Sequence, residues 1–293
     1  FCLEALLLRK RNWVLFTLMV LIWGSNWVVM KVGLRFVSPL NLVMQRLLLA
    51  SIALLPVIVW RQKSLPRDRF TWLKLVMLSL INATSMISTN IGLLNEASGL
   101  SSLITYTQPL FVFCLAVPFL GEKISATRIL GVVSGFLGVA ALYAARLRTQ
   151  INISSPFLFL ILGAFFWAIT VIYYKKFLNY VDPAIVNMVQ FPIGAILLLS
   201  IASTLEGLTF SDNMLYILSI LYMSVLGSAL ASTIWLTLMR EEETTVVSTS
   251  SLIVPAIALI FGLVFLGEVI EQISLLGFAL ILIGIYLVNK SHK

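Results

Sequence analysis

A chain of 293 residues that is 60% hydrophobic and only 11% charged lacks the polar groups to cover a soluble surface, because soluble domains are about half apolar and about a quarter charged. Lipid must take that role, and at roughly 20 mainly apolar residues per membrane span the length allows ten spans with short loops and leaves nothing for a soluble domain. The net charge of +8 comes without a basic stripe or an aromatic-basic module, so nucleic acid is excluded as a partner.

In chain order, the apolar runs predict helices over residues 13–33, 39–60, 72–94, 99–120, 126–145, 156–176, 183–204, 214–238, 245–266 and 270–289. The first run is too long for the apolar region of a cleavable signal and more spans follow it. A basic loop from Arg61 to Arg69 separates the second and third spans. Gly121-Glu122-Lys123 and Gly267-Glu268 read as tight turns, and Glu206-Gly207 to Asn213 as a polar loop. Cys2 and Cys114 make no disulfide framework, and Cys114, inside an apolar run, is expected in the core. With a cytoplasmic N-terminus, fifteen Lys and Arg fall inside and four outside, with Arg46 within a span. Cytoplasmic loops carry such an excess, so both termini are predicted to face the cytoplasm of a multi-pass protein of the cell membrane.

The chain repeats itself. Pro109 falls on Pro255, Phe119-Leu120-Gly121-Glu122 on Phe265-Leu266-Gly267-Glu268, Gly131 on Gly277 and Gly138 on Gly284, all at an offset of 146. Earlier in each half the offset is 144: Trp23 on Trp167, Lys31 on Lys175, Pro39 on Pro183 and Met44 on Met188. A five-helix unit has an odd number of spans, so its second copy enters the membrane from the opposite face. The expected architecture is therefore an all-α integral membrane protein of ten transmembrane helices in two inverted repeats, 11–148 and 155–291. Secondary transporters often use this arrangement, with the substrate at the repeat interface near the midplane.

The run Trp23-Gly24-Ser25-Asn26-Trp27-Val28-Val29-Met30-Lys31 resembles the first-helix signature of EamA-type proteins of the drug/metabolite transporter superfamily. Ser38-Pro39 followed by Gln45-Arg46-Leu47-Leu48-Leu49-Ala50 is similar to that family's second helix, and the Gly-Glu turns also match. The resemblance covers nearly the whole chain as two tandem units. It implies ten helices and the export or exchange of metabolites such as amino acids. The second copy departs from the pattern, with Ala168 for Gly24, Thr170 for Asn26 and Gln190 for Arg46.

Polar groups within hydrocarbon are costly and usually face protein or water. Arg46, about seven residues into the second span, either draws in a substrate carboxylate or gates the outer mouth, or else bonds to carbonyls of a neighbouring helix; its position also permits snorkelling to the outer interface. Lys31 is expected as an outer interface anchor and Lys175 at the inner end of the sixth span. Ser101, Thr105 and Gln108 share one face of the fourth span, and Asn82, Ser85 and Thr89 one face of the third. Ser228 and Ser232 mark the eighth span, and Ser248 and Ser251 the ninth. Small hydroxyl residues also glue helices together, but four such faces on repeat-related spans point to a shared cavity. With Asn26 and Thr170 they form the candidate substrate-binding set, walled by Trp23, Trp27, Trp167 and Trp235. Tyr173 and Tyr174 read as interface belt or packing.

Pro109 and Pro255 interrupt the fourth and ninth spans at matching places and are hinge candidates. Gly131, Gly135 and Gly138 in the fifth span, with Gly277 and Gly284 in the tenth, allow close helix approach, so these two spans read as scaffold. Glu122 and Glu268 are expected to cap the helices they open. The single histidine is His292 and no Gly-Lys-Ser/Thr sequence occurs, so metal chemistry, ATP use and catalysis are not expected; nor is any cofactor. The expected partners are the bilayer and a small solute, with the chain acting as a monomer or homodimer. Competing readings are a channel, a sensor, or a lipid or nucleotide-sugar carrier of the same superfamily. A single deep cation, Arg46, argues against a multiply charged phosphate.

Overall fold

The computed structural model describes residues 10–60, 65–121, 125–149, 155–241, 253–268 and 272–290. Every element among them is a helix, as a membrane demands: backbone groups that find no water must bond within their own segment. In chain order these are α1 (Lys10–Gly33), α2 (Pro39–Trp60), α3 (Arg69–Asn95), α4 (Ser98–Thr105), α5 (Gln108–Leu120), α6 (Ala126–Thr149), α7 (Ser155–Phe177), α8 (Pro183–Leu205), α9 (Met214–Leu221), a π-helical segment (Tyr222–Leu230), α10 (Ala231–Glu241), α11 (Ile253–Leu266) and α12 (Gln272–Lys290). Seven helical stretches are long and apolar enough to cross a membrane, and three shorter apolar helices accompany them. The chain is thus a multi-pass membrane protein. Its outer surface fits lipid, with Val14, Leu73, Trp60 and Val264 exposed. Cys114 is exposed there too, not in the core as its apolar run suggested.

Two predicted helices are interrupted. The fourth span is α4 and α5, broken at Tyr106-Thr107, and Pro109 sits in the first turn of α5. Proline suits a first turn because the N–H it lacks has no helical partner there. The break therefore precedes the proline. The eighth span passes through nine residues of π-helix between α9 and α10, a feature that concentrates at functional sites.

Packing follows a paired scheme. The helix α6 lies along α12, α3 along α7, α2 along α8, α1 along α11, and α4 against α11. Glycines set the closest approach. A Cβ on Gly138 would stand 2.7 Å from the carbonyl oxygen of Gly277, and one on Gly284 would stand 2.5 Å from that of Gly131. The tight turns predicted at Gly121 and Gly267 both use the left-handed region, with φ of 72° and 65°, where a side chain is strained.

Charged side chains tie helix ends together, with partners that sequence alone did not reveal. Lys31 Nζ donates to the carbonyls of Leu93 (2.7 Å) and Leu94 (2.8 Å), so it caps the C-terminal end of α3. Lys175 Nζ does the same to Met239 at the end of α10 (2.9 Å). A cation complements the negative end of a helix dipole. Glu268 caps α4: its carboxylate accepts from Ser98 N (2.6 Å), Ser98 Oγ (2.9 Å) and Gly99 N (3.1 Å). Glu122 lies outside the described residues. Glu268→Ala should lower stability by about 1–2 kcal/mol, read as a melting temperature a few degrees lower. Unchanged melting would mean that water caps α4 equally well.

At one end of the bundle the start of α2 holds the 206–216 segment. Ser38 Oγ donates to the Glu206 carboxylate, Asn41 Nδ2 to the Gly207 carbonyl (2.9 Å) and Gln45 Nε2 to the Thr209 carbonyl (2.8 Å). Asn41 Oδ1 accepts from Thr209 N (3.1 Å), and Tyr216 OH donates to Gln45 Oε1 (2.7 Å). At the other end the hydroxyls of Thr71 and Tyr180 pair at 2.8 Å. There Asp68 caps α3, and the Thr71 N–H holds its carboxyl below the usual carboxylate range. This cap is in place at neutral pH and is lost as pH falls through that lowered value.

Candidate functional site

A cavity with about 160 Å³ of water-accessible space lies between the two halves of the chain. That is room for roughly five waters, at about 30 Å³ each, or for one small metabolite. Residues of α1, α2, α3, α4, α7, α8, the π segment and α10 line it, with Tyr106 from the break after α4.

One wall is aromatic. The rings of Trp23 and Trp167 meet edge to face at 5.8 Å, while Trp23 and Trp235 at 5.3 Å and Trp167 and Trp235 at 5.9 Å are tilted. Tyr106 stacks edge-on against Trp167 at 5.2 Å. Trp23 is oriented by its Nε1–H, which donates to the Gly227 carbonyl at 3.0 Å. That carbonyl belongs to the π segment, so the irregular turn positions the aromatic wall.

The other wall is polar and holds Arg46, the one charged side chain among the described residues lining the cavity. Arg46 is only 7% exposed. It does not snorkel to the interface, nor does it bond to a neighbouring backbone. Its Nε donates to Ser228 Oγ at 2.6 Å, and its Nη1 approaches Met30 Sδ at 3.5 Å. A hydroxyl and a thioether are weak company for a buried guanidinium. Asn26 Nδ2 also donates to Met30 Sδ (3.0 Å), Asn90 Nδ2 to the Met86 carbonyl (2.8 Å), and Gln190 Nε2 to Asn187 Oδ1 (2.5 Å). Asn26 Oδ1, Asn90 Oδ1, Gln190 Oε1 and Thr105 Oγ1 have no partner among the described residues. Buried polar atoms left open in this way are uncommon, and these expose almost no surface to the cavity.

Gly227 keeps this arrangement possible. A Cβ there would stand 2.6 Å from Asn26 Oδ1 and 3.4 Å from Arg46 Nη2. Gly227→Ala is expected to cut transport about tenfold by displacing Asn26, at no cost to the helix, since alanine favours helix over glycine. Full transport by this variant would show that Asn26 can move freely.

The structure brings together Trp23, Asn26, Trp27, Arg46, Asn82, Ser85, Thr89, Thr105, Trp167, Thr170, Ser228 and Ser232 around the cavity. It does not bring Ser101 or Gln108 there. Both are fully buried, and Ser101 Oγ and both polar atoms of Gln108 are unpartnered among the described residues. Ser248 and Ser251 lie outside the described residues. Tyr174 belongs to no interface belt: it is buried and lines the cavity, with its OH 3.5 Å from the Leu236 carbonyl. Sequence reasoning missed Met30, Tyr106 and Asn187 as lining residues. Asn187 carried a signal, standing one turn before Gln190 on the same helical face.

Comparison with known proteins agrees with this architecture. The EamA-like transporter family matches residues 11–144 and 154–290. The uncharacterized transporter YvbV of Bacillus subtilis is 30% identical over 97% of this chain and 93% of its own length. A Salmonella typhimurium protein named "Probable amino-acid metabolite efflux pump" is 29% identical over 96% of this chain and 95% of its own. A protein crystal structure at 15% identity shares the fold, with a TM-score of 0.71 over 96% of each chain. A multi-pass helical chain that matches one transporter family in both halves is a membrane transporter, and it belongs to the EamA-like transporter family of the drug/metabolite transporter superfamily.

Proposed function

We propose that the chain is a secondary carrier of small amphipathic metabolites, amino acids or similar solutes, which it exports or exchanges across the cytoplasmic membrane. The observation that carries this reading is the pairing of cavity residues across the repeat. Trp23 with Trp167, Asn26 with Thr170 and Arg46 with Gln190 are 144 apart; Asn82 with Ser228 and Met86 with Ser232 are 146 apart; all ten line the cavity. Ten spans in two inverted five-helix units, 11–148 and 155–291, account for this pairing. They also account for the matching caps, because Lys31 on Leu93 and Lys175 on Met239 repeat at the same two offsets. In an inverted pair the second copy can adopt the first copy's conformation and so turn the cavity to the opposite face.

On this reading both termini are cytoplasmic. The Ser38–Tyr216 tie then lies on the outer side and must open to release solute there. The break before Pro109, with Pro255 in α11, supplies the hinges. One chain encloses the cavity, so a monomer or a homodimer of independent carriers suffices. The name carried by the Salmonella relative favours amino-acid metabolites and outward movement. Cells that express the protein and are fed a dipeptide should excrete the released amino acids several-fold faster than cells lacking it. Equal excretion across a panel of dipeptides would rule out amino-acid export.

A further inference from the structure

The eighth span is one residue longer than its mate. It runs over 28 residues, Met214–Glu241, while α3, its counterpart in the first half, runs over 27, Arg69–Asn95. The capping residues at their starts, Asp68 and Asn213, are 145 apart. The carbonyls that Lys31 and Lys175 cap at their ends, those of Leu93 and Met239, are 146 apart. Burial locates the change. Leu78 with Met223 and Ser79 with Ser224 are buried pairs at an offset of 145, and Ala83 with Ala229 and Thr89 with Trp235 are buried pairs at 146. Leu80 falls on Leu226 at 146, so the residue without a mate is Val225. Half of the drift between the two copies, from 144 to 146, thus arises inside a helix and not in a loop.

An α-helix turns about 100° per residue, so one extra residue in a regular helix would swing every later side chain onto another face. The pairs beyond Val225 keep their buried face. The π segment Tyr222–Leu230 takes up the extra residue, because its hydrogen bonds span five residues rather than four; α3 stays α-helical throughout. The wider turn reaches the cavity. The Gly227 carbonyl accepts from Trp23 Nε1, and Ser228 Oγ accepts from Arg46 Nε. The mates of Arg46 and Ser228 turn elsewhere: Gln190 Nε2 donates to Asn187 Oδ1, and Asn82 Nδ2 to Met86 Sδ at 4.0 Å. Val225 itself is 42% exposed and does not line the cavity.

We propose that Val225 is a positioning residue for the solute site: by its presence in the chain, not by its side chain, it forces the π turn that fixes the Arg46 guanidinium and the Trp23 indole at the cavity. The two walls are thereby unequal. The second half braces the cation and indole of the first, while Gln190 has no such brace from α3. A side chain already held in place loses less freedom when solute binds, which strengthens binding. The proposal rests on the carrier reading above and adds the backbone feature that sets the affinity of its site.

Deletion of Val225 is the test. The span should become a 27-residue α-helix like α3, with both ends in register and melting within a few degrees of the unmodified protein. Deletion of Leu80, at the matching place in α3, removes a residue that is not spare; it should prevent folding or lower melting by more than roughly 10 °C. Equal losses from the two deletions, or failure of the Val225 deletion to fold, would overturn the assignment of a spare residue. Positioning is read without transport from hydrogen exchange of the Trp23 indole N–H, followed by NMR and assigned with Trp23→Phe. That N–H should exchange about tenfold faster in the deletion variant, as one hydrogen bond is lost, and Val225→Ala, which keeps the residue count, should restore its protection. In proteoliposomes, counterflow of labelled L-leucine, L-phenylalanine and a panel of other metabolites should show a KM about tenfold higher for the deletion variant with the maximal rate within about twofold, and Val225→Ala should restore KM. Ser228→Ala, which keeps the π segment, should raise KM several-fold at unchanged melting. A folded deletion variant with unchanged KM and a protected indole would overturn the positioning role and leave the carrier intact. If the unmodified protein is folded and exchanges nothing, the carrier reading falls, while melting and indole exchange still decide the role of Val225.

Discussion

Arg46→Leu is expected to reduce exchange by roughly 30-fold to more than 1,000-fold while leaving the protein at least as stable as before. The two effects have opposite physical origins. Losing one partner of a buried charged pair costs about 2–5 kcal/mol of binding, and each 1.4 kcal/mol is about tenfold. Stability runs the other way. An isolated arginine in a membrane helix costs about 2.5–3.5 kcal/mol on insertion scales. Without solute, Arg46 recovers little of that, since its contacts are the Ser228 hydroxyl and the Met30 sulfur. Leucine removes the cost and leaves one hydroxyl short of a partner, worth about 1 kcal/mol. Initial exchange rates and a melting curve on the same preparation separate the terms. A parallel fall in transport and melting temperature would make Arg46 a structural residue.

Gly284→Val should have the converse profile, with stability lost and the transport rate per folded molecule kept within about twofold. Even a methyl on Gly284 would stand 2.5 Å from both the Gly131 oxygen and the Gly135 nitrogen, and 2.7 Å from the Gly135 Cα. These are backbone atoms, which cannot rotate aside. The pair α6 and α12 must separate, and in membranes close packing is the chief force between helices. Overpacking costs about 1–3 kcal/mol and sometimes more, so melting should fall by roughly 5–10 °C. No described residue of either helix lines the cavity, which is why the surviving folded protein should still exchange solute. Unchanged melting would mean that α6 and α12 are not held together at this glycine face.

Much of this was legible from residue order. Scarcity of charge dictated lipid as solvent, and the FLGE repeat with its flanking proline and glycines marked two copies. Arg46 stood out because a lone cation in an apolar run has to be explained. Asn82, Ser85 and Thr89 showed a polar face at helical spacing. Other features depend on which spans become neighbours, and local patterns are silent on that. Glu268 was read as a cap for its own helix, yet α4 lies beside that turn and takes the carboxylate. Lys31 looked like an interface anchor and Lys175 was placed only at the inner end of its span, but each has a helix C-terminus within reach. The π segment had no local signature in the sequence, although it brings Ser228 to Arg46 and the Gly227 carbonyl to Trp23. Ser101 and Gln108 share a helical face with Thr105, but only Thr105 reaches the cavity.

The central claim is that two inverted halves alternate around one solute-sized cavity, and trans-acceleration tests it most directly. Proteoliposomes loaded with labelled solute are diluted into buffer with or without the same unlabelled solute, and efflux is timed. A carrier returns faster when occupied, so efflux should rise several-fold with outside solute and saturate. Efflux that ignores the outside solute, grows linearly with concentration and carries current would contradict the account and identify a channel.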